Sequence, residues 1–288
     1  MTFYCPSIKQ RGNRGPDFAF NLSGLAPRIG LGRNSNHNRM INTLFSRIRN
    51  TILRSGKVII DFSGNSRDVA RSLQLDKLGN IYIAGFSYAN GSSDFAVIKL
   101  TPFGVLDPSF GANGKVVIDI SGNSYDDGYS LQLDNIGNIY IAGLSNENDG
   151  DFAVIKLTPV GDLDPSFGAN GKVVIDISGN SVDVARSLQL DNIGNIYVAG
   201  SSYENYSSDF AVIKLDPNGV LVTSFGANGK VIIDFSGNSD DEGYSLQLDK
   251  LGNIYVAGSS YLNGSHDFAV IKLKPNGNLD NTFGKIIE

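Results

Sequence analysis

The chain has 288 residues, of which 41% are hydrophobic and 18% charged, and its formal net charge is −5. This composition is typical of a globular protein, and no run of about 18 apolar residues is present to cross a membrane as a helix. Cys5 is the only cysteine, which excludes a disulfide framework and a cysteine-based zinc site. The first twenty residues contain no continuous apolar stretch, so we expect no secretory signal peptide.

Charge divides the chain into a basic arm and an acidic body. Residues 1–55 hold nine Lys/Arg and one acid, whereas residues 56–288 hold 15 Lys/Arg and 28 acids. We expect 1–37 to be irregular. In 38–55, apolar residues such as Ile41, Leu44 and Ile48 recur at helical spacing among arginines, which predicts a basic amphipathic helix.

The basic helix is open to more than one interpretation. It can cover an apolar surface of the acidic body, or it can bind an anionic membrane surface or a partner's groove. We do not expect binding to nucleic acid, because the acidic body would repel phosphate.

One sequence recurs four times in the acidic body. The stretch SLQLDKLGNIYIAG begins at Ser72, and close copies begin at Ser130, Ser187 and Ser245, at spacings of 58, 57 and 58 residues. Such a period indicates a repeat architecture. The four units are 56–113, 114–170, 171–228 and 229–288.

Each unit contains four strand-length segments bounded by turn residues. In the first unit they read GKVIIDF, ARSLQLD, NIYIAG and DFAVIKL. The glycine in DKLGN stands where a hairpin turn needs a positive φ, and TPFG has Pro second and Gly fourth, the type I pattern; both predict antiparallel hairpins. We therefore predict an all-β fold.

A four-stranded unit has two apolar faces, so copies must stack, and closing the stack into a ring protects the end units. This favours a β-propeller of four four-stranded repeats over a solenoid. SLQLD is placed innermost, followed by IYIAG, FAVIKL and GKVII. Gly56–Phe62 can pair with the fourth unit and close a four-bladed ring. The alternatives are a partial fifth blade, with the C-terminal GKIIE completing unit four, and two chains that complete one ring as an oligomer.

The combination of GKVIIDFSGN, SLQLD, GNIYIAG, DFAVIKL and LDPSFGANGK over 56–284 resembles the delta-60 repeat family of large bacterial proteins. The resemblance implies a β-propeller fold and a secreted or cell-surface location. It implies no activity, because the family has no settled one. The chain departs from the family pattern in having Asn after the turn glycine, where the family usually has Lys, and in having only four full units.

No catalytic constellation is visible. The two histidines, His37 and His266, do not recur and have no Ser or Asp partner at a recognisable spacing. We therefore expect no enzyme activity and no cofactor. Acidic clusters offer weak candidate ligands for Ca²⁺ at Asp127, Asp240 and Glu242.

Two recurring positions are candidate binding residues. An aspartate precedes each SLQL by four residues, and we interpret it as an Asx turn that starts the inner strand. The residue just before the repeated serine alternates between Arg and Tyr, which are frequent recognition residues. In a closed four-bladed ring the two arginines would face each other across the axis, as would the two tyrosines. The candidates are Asp68, Asp126, Asp183 and Asp241, and Arg71, Tyr129, Arg186 and Tyr244.

The sequence thus predicts a non-catalytic binding or scaffold module that engages a protein or glycan through loops such as SSYENYSSD at 201–209. One alternative is a fragment of a longer cell-surface repeat array without independent activity. Another is a propeller lyase or glycosidase that uses loop carboxylates.

Overall fold

The computed structural model describes residues 56–284, apart from 63, 65, 66, 90, 123, 147, 148, 180, 181, 205, 236 and 238. The basic arm, the helix predicted at 38–55 and the final four residues lie outside the described part. All fifteen strands belong to one compact unit, 59–288. They are β1 (Asp68–Leu75), β2 (Ile81–Ala89), β3 (Ser92–Leu100), β4 (Lys115–Ile118), β5 (Asp126–Leu133), β6 (Ile139–Ser145), β7 (Asp151–Leu157), β8 (Lys172–Ile175), β9 (Asp183–Leu190), β10 (Ile196–Glu204), β11 (Ser207–Leu215), β12 (Lys230–Ile233), β13 (Asp241–Leu248), β14 (Ile254–Leu262) and β15 (Ser265–Leu273).

The strands form four antiparallel sheets, which we number in chain order. Sheets 1, 2 and 3 each have four strands, in the orders β1-β2-β3-β4, β5-β6-β7-β8 and β9-β10-β11-β12. Within the described residues, sheet 4 has three strands, in the order β13-β14-β15. The all-β prediction and the predicted strand order are confirmed. The described residues include no helix that is long and apolar enough to span a membrane.

Each complete sheet crosses a boundary between two sequence units. Its first three strands come from one unit, and its fourth strand opens the next unit, as β4 does at Lys115–Ile118. The sheets therefore do not coincide with the units 56–113, 114–170, 171–228 and 229–288 that the sequence period suggests.

The predicted turn chemistry is confirmed in both types of hairpin. Gly79 has a φ of 80°, and its N–H donates to Asp76 O at 3.0 Å. The Asp76 carboxylate accepts from the N–H groups of Leu78 and Asn80, at 2.8 and 2.9 Å, which fixes this turn. In TPFG, Gly104 has a φ of 73° and donates to Thr101 O at 2.9 Å. Both glycines occupy a conformation that other residues adopt only with strain.

The core lies at the junctions between consecutive sheets. Phe95 and Val97 of sheet 1 pack with Leu131 and Ile141 of sheet 2 in one buried cluster. The equivalent residues of sheets 3 and 4 form a similar cluster around Phe210. Because each sheet covers one face of its neighbour, stacking buries the apolar faces as the repeat argument predicts.

The segments expected to be face loops are mostly strand. Residues 201–209 contain the end of β10 and the start of β11, which are separated by two residues. Between β14 and β15 the two turn residues are Asn263 and Gly264, with φ of 53° and 91°. Two positive φ values define the tight type I′ turn, so little loop is left to form a contact surface.

The expected ring closure is not formed. Gly56–Phe62 contains no strand, and no strand among the described residues pairs with the outer edge of β15. Sheets 1 and 4 make no extensive contact, whereas each consecutive pair of sheets does. The prediction that Gly56–Phe62 completes sheet 4 of the same chain is therefore wrong for this structure.

Candidate binding site on the inner strands

A β-bulge interrupts the first strand of every sheet at the same place. In sheet 1, Ala70 pairs with Gly85 and Ser72 pairs with Ala84, so the residue between them has no partner of its own. A bulge of this kind bends the strand and redirects the extra side chain. The bulged residues of the four inner strands β1, β5, β9 and β13 are Arg71, Tyr129, Arg186 and Tyr244. These are the four alternating residues that the sequence singles out.

The bulge explains the glycine of the repeated IYIAG. A Cβ added at Gly85 would lie 1.8 Å from Val69 O, and one at Gly200 would lie 1.8 Å from Val184 O. No side chain fits at those distances, so the strand that opposes the bulge requires glycine. This glycine is the sequence signal that could have located the bulge.

The bulged side chains form a row along neighbouring inner strands. Strand β1 contacts β5, β5 contacts β9, and β9 contacts β13. The Arg71 guanidinium lies over the Tyr129 ring at 5.4 Å, and that of Arg186 lies over the Tyr244 ring at 5.2 Å. Each arginine therefore lies over the tyrosine ring of the next sheet, while the placement of arginine opposite arginine, which assumes a closed four-bladed ring, stays a prediction. We call these four residues the bulge row.

The two arginines of the bulge row differ in their ionic partners. Arg186 pairs with Glu242, with 3.4 Å between Nη2 and Oε2, and Glu242 also accepts a hydrogen bond of 2.5 Å from the Tyr244 hydroxyl. The Nε of Arg186 is buried and has no hydrogen-bond partner among the described residues. Arg71 is exposed and forms no ion pair within the described part of the chain. It also lies over the Phe86 ring at 5.7 Å.

Both tyrosines of the row keep their protons at neutral pH. Burial raises the pKa of Tyr129, as does the charge of Asp127, while the positive charges of Arg71 and Arg186 oppose the rise. The hydrogen bond to Glu242 raises the pKa of Tyr244. The row therefore combines guanidinium groups with neutral hydroxyl groups, which suits hydrogen bonding to a polar ligand.

The recurring aspartates of the inner strands have a structural role. Asp126 is buried, and its Oδ2 accepts from Ile120 N at 2.7 Å. Asp183 and Asp241 make the same bond to the residue six positions earlier, at 2.6 and 2.8 Å. Asp68 does so with Phe62 N at 2.9 Å. Each carboxylate therefore accepts from a backbone N–H of the loop before the strand and stabilises that loop. The predicted Asx turn is corrected accordingly.

The weak Ca²⁺ candidates do not gather around one point. Asp127 accepts from Ser93 Oγ of the preceding sheet at 2.7 Å, and Asp240 accepts from Ser208 N at 3.3 Å. Glu242 is engaged by Arg186 and Tyr244. Each of these carboxylates therefore binds a group of its own or a neighbouring sheet.

A different set of carboxylates comes together at each junction. Every set combines the aspartate of DFAVIKL, the aspartate that follows the outer strand, and the first aspartate of the next inner strand, with ligand oxygens within 4.8 Å of one another. We call these sets the junction trios: Asp94–Asp119–Asp126, Asp151–Asp176–Asp183 and Asp209–Asp234–Asp241. Sequence reasoning missed them, although all three positions recur in the sequence.

Burial and mutual repulsion act on the junction trios. Burial raises the pKa of Asp183 to about 6, and burial together with the charges of Asp234 and Asp241 raises that of Asp209 to about 6. Oδ1 of Asp209 is buried and has no hydrogen-bond partner among the described residues. An all-oxygen set of this kind suits Ca²⁺ or Mg²⁺ rather than zinc, and the raised pKa of Asp183 and Asp209 means that their carboxyls take up protons as the pH falls through about 6.

Stacked antiparallel sheets, each built from one recurring sequence, define a β-propeller repeat protein. The chain matches the family described as "Domain of unknown function (DUF5122) beta-propeller" at residues 79–110, 137–167, 194–225 and 252–283. Each match runs from the turn glycine after an inner strand to the phenylalanine before the next outer strand. A second family, described as "Beta-propeller repeat", matches residues 229–263. The predicted β-propeller class is thereby confirmed.

Solved structures show a likeness in fold alone. A protein of unknown function from Dyadobacter fermentans DSM 18053 is similar with a TM-score of 0.50 and 12% identity, over 77% of this chain and 70% of that chain. An endo-arabinase from Bacteroides thetaiotaomicron VPI-5482 has a TM-score of 0.44 and 15% identity, over 74% and 78%. A GH43_12 protein from a capybara gut metagenome has a TM-score of 0.40 and 13% identity, over 73% of this chain and 40% of that one. A search of curated proteins found no match.

Proposed function

We propose that this chain is a non-catalytic binding module that holds its partner through the bulge row. The observation that carries the proposal is the coincidence of two patterns. The only inner-strand position that alternates between Arg and Tyr is also the position that a bulge removes from the sheet pairing in all four sheets. Bulges are common next to functional sites, where they redirect a side chain.

The chemistry of the row favours a ligand that bears carboxylate and hydroxyl groups. Arg71 presents an exposed guanidinium that two aromatic rings support from the protein side. A guanidinium in that setting binds a carboxylate through two parallel hydrogen bonds. The Tyr129 ring lies beside this guanidinium, and its hydroxyl can exchange hydrogen bonds with a ligand hydroxyl. Acidic glycans and acidic peptide segments both carry the required groups.

The repeat motifs support a finer family assignment. We infer that the four units are delta-60 repeats, because GKVIIDF, GNIYIAG and DFAVIKL occur in the order and spacing of that family. This assignment favours a location on the cell surface or outside the cell, where glycans and other proteins are available as partners.

A binding screen with a paired charge control tests the proposed function. Wild-type protein is applied to arrays of acidic glycans, neutral glycans and acidic peptides, and each captured ligand is titrated. Replacing Arg71 and Arg186 together by alanine should weaken binding by about tenfold or more, because arginines in such positions are frequent hot spots. The control replaces Lys77 and Lys250, two exposed turn lysines, and removes the same charge. It should leave the affinity unchanged.

Each result of this screen decides the proposal. Equal weakening by the arginine and lysine pairs would assign the binding to net charge and overturn the role of the bulge row. Cleavage of any captured glycan, followed by chromatography of the products, would overturn the non-catalytic part and favour a lyase or glycosidase. Capture of a glycan rather than a peptide, or the reverse, identifies the class of partner.

A further inference from the structure

The two terminal sheets each expose a face that is buried elsewhere in the same chain. Phe95, Phe152 and Phe210 of the DFAVIKL strands are fully buried by the following sheet. Phe268, the same residue in sheet 4, is fully exposed, and Val270 beside it is 47% exposed. The residues are identical, so the difference in exposure arises because no following sheet covers sheet 4 within the described residues.

Sheet 1 exposes the matching half of this junction. Leu131, Leu188 and Leu246 of the inner strands are 0–1% exposed because the preceding sheet covers them. Leu73, the equivalent residue of β1, is 55% exposed. Inside the chain, the phenylalanine and leucine positions belong to the same buried clusters, as Phe210 and Leu246 do. The outer faces of sheets 4 and 1 are therefore the two halves of a junction that the chain builds three times internally.

The hydrogen bonds at the internal junctions predict how the outer faces of sheets 4 and 1 would align. Leu131 N donates to Ser72 Oγ at 3.0 Å, and the same bond joins each later pair of sheets, at 3.0 Å. The corresponding groups at the two ends are Ser245 Oγ of sheet 4 and Leu73 N of sheet 1. They would be brought together by the same packing.

A segment in front of sheet 1 matches the outer strand that sheet 4 lacks among the described residues. Gly56–Phe62 reads GKVIIDF, identical to Gly229–Phe235, which supplies the outer strand of sheet 3. Phe62 N donates to Asp68 Oδ2 at 2.9 Å, as Ile120 N does to Asp126 Oδ2 at 2.7 Å. The end of the segment is thus held against sheet 1 as the outer strand of a preceding sheet is held against sheet 2.

A lysine contact repeats the same placement. Lys115 Nζ donates to the carbonyl oxygen of Asp61, as Lys172 Nζ does to that of Asp119 at 2.6 Å. Asp119 follows the outer strand of sheet 1, so Asp61 occupies the position that follows the outer strand of a sheet placed before sheet 1. No such sheet is present among the described residues, although its outer-strand sequence is in place.

We propose that two copies of this chain associate head to tail, with sheet 4 of each packed on sheet 1 of the other. Gly56–Phe62 of one copy then pairs with the outer edge of β15 of its partner and completes the four-stranded sheet. Two copies with four sheets each give eight blades, which lies within the usual range of roughly four to eight. Two such junctions related by a two-fold axis close the assembly and leave no sheet without a neighbour on either face. This inference does not depend on the proposed ligand.

The molecular mass in solution tests the association. The full chain, of 30.8 kDa, should elute in size-exclusion chromatography with light scattering at twice that mass over a range of concentrations. Phe268→Glu and Leu73→Glu place a charge on either half of the junction and should each give a monomer with an unchanged far-UV circular dichroism spectrum. Leu251→Glu is the matched control, because this turn position is exposed in all four sheets, including those with covered faces. It should remain dimeric.

A mixing experiment tests the head-to-tail arrangement. Mixing the Phe268→Glu and Leu73→Glu chains should restore a dimer. One of the two junctions then consists of the unaltered sheet 4 of the Leu73→Glu chain and the unaltered sheet 1 of the Phe268→Glu chain. An interface that used the same surface on both copies would not be restored. A monomeric wild type, an assembly larger than a dimer, a dimer that survives both substitutions, or a mixture that stays monomeric would each overturn the proposal. If one variant fails to fold, the other still decides whether the junction faces form the dimer.

Discussion

Phe210 and Phe268 show how strongly one repeated sequence depends on its neighbours. Both lie in DFAVIKL strands, yet Phe210 is fully buried at the junction of sheets 3 and 4 while Phe268 is fully exposed on the last sheet. The local sequence is the same over seven residues, so it cannot be the cause. In a repeat protein each unit is stabilised by the neighbours it contacts, and the difference measures what one such neighbour contributes.

The largest effect is expected from truncating these two phenylalanines. Phe210→Ala should lower the free energy of unfolding by about 3–5 kcal/mol, because it leaves a cavity in a packed junction. Phe268→Ala, measured in the monomeric Leu73→Glu background, should change it by less than about 0.5 kcal/mol, as for an ordinary surface substitution. Urea denaturation followed by circular dichroism gives both values. Equal losses at the two positions would contradict the view that the following sheet, and not the strand itself, buries this residue.

Sequence reasoning could predict the strands, because their signals are local. The positive φ of Gly79 and the hydrogen-bonded turn at Gly104 follow from turn chemistry that is complete within five residues. The alternation in SLQLD and the apolar run of DFAVIKL likewise indicate strands and their order. The stacking of sheets follows from the two apolar faces of each unit.

The candidate site could be predicted only in part, because its geometry depends on partners far away in sequence. Arg71 and Tyr129 stand out by their alternation, but their stacking requires the neighbouring sheet. The bulge itself is set by pairing with β2, and only the repeated Gly85 hints at it. The trio Asp209–Asp234–Asp241 joins three separate loops and strand ends, which no local pattern indicates. Closure of the ring also depends on which sheet packs against sheets 1 and 4, and the sequence alone does not decide this.

An intermediate effect is expected at the junction trio between sheets 3 and 4. Asp209 has a pKa raised from its ordinary 3.8 to about 6, so the folded state binds a proton more tightly than the unfolded state does. The stabilising effect of that proton is present below about pH 4 and is lost as the pH rises through 6. Asp209→Asn should therefore raise the melting temperature at pH 7.5 in EDTA. It should also reduce the decrease in melting temperature that the wild type shows as the pH rises from 4 to 6.

The matched control for this prediction is Asp267→Asn on the last sheet. Asp267 occupies the same place in DFAVIKL but belongs to no junction trio among the described residues. It should leave the melting temperature of the monomeric Leu73→Glu background unchanged. A fall in the melting temperature of Asp209→Asn, together with Ca²⁺-dependent stabilisation of the wild type alone, would contradict the expected relief and identify the trio as a cation site.

The smallest effect concerns the one repeat that lacks an ion pair found in the other three. In three repeats a lysine pairs with an aspartate of the following turn at 2.8–3.0 Å; these lysines are Lys99, Lys156 and Lys272. In the third repeat Val222 occupies the position of the aspartate. The lysine of that repeat, Lys214, lies over the Tyr197 ring at 4.8 Å. Val222→Asp should supply the missing partner. Because such pairs near the surface contribute little, the expected gain is about 0.2–1 kcal/mol in the free energy of unfolding.

The pH dependence separates this ion pair from a change in turn propensity. In the equivalent repeat, the hydrogen bonds of Asp164 to Lys156 and Ser166 lower its pKa from 3.8 to about 2. A depressed pKa of this kind contributes stability that is present above about pH 4 and lost as the pH falls through 2. The gain of Val222→Asp, measured by urea denaturation, should therefore vanish at pH 2 and be absent when Lys214→Met is introduced beside it. A gain that persists in both conditions would come from the turn and not from the charge pair.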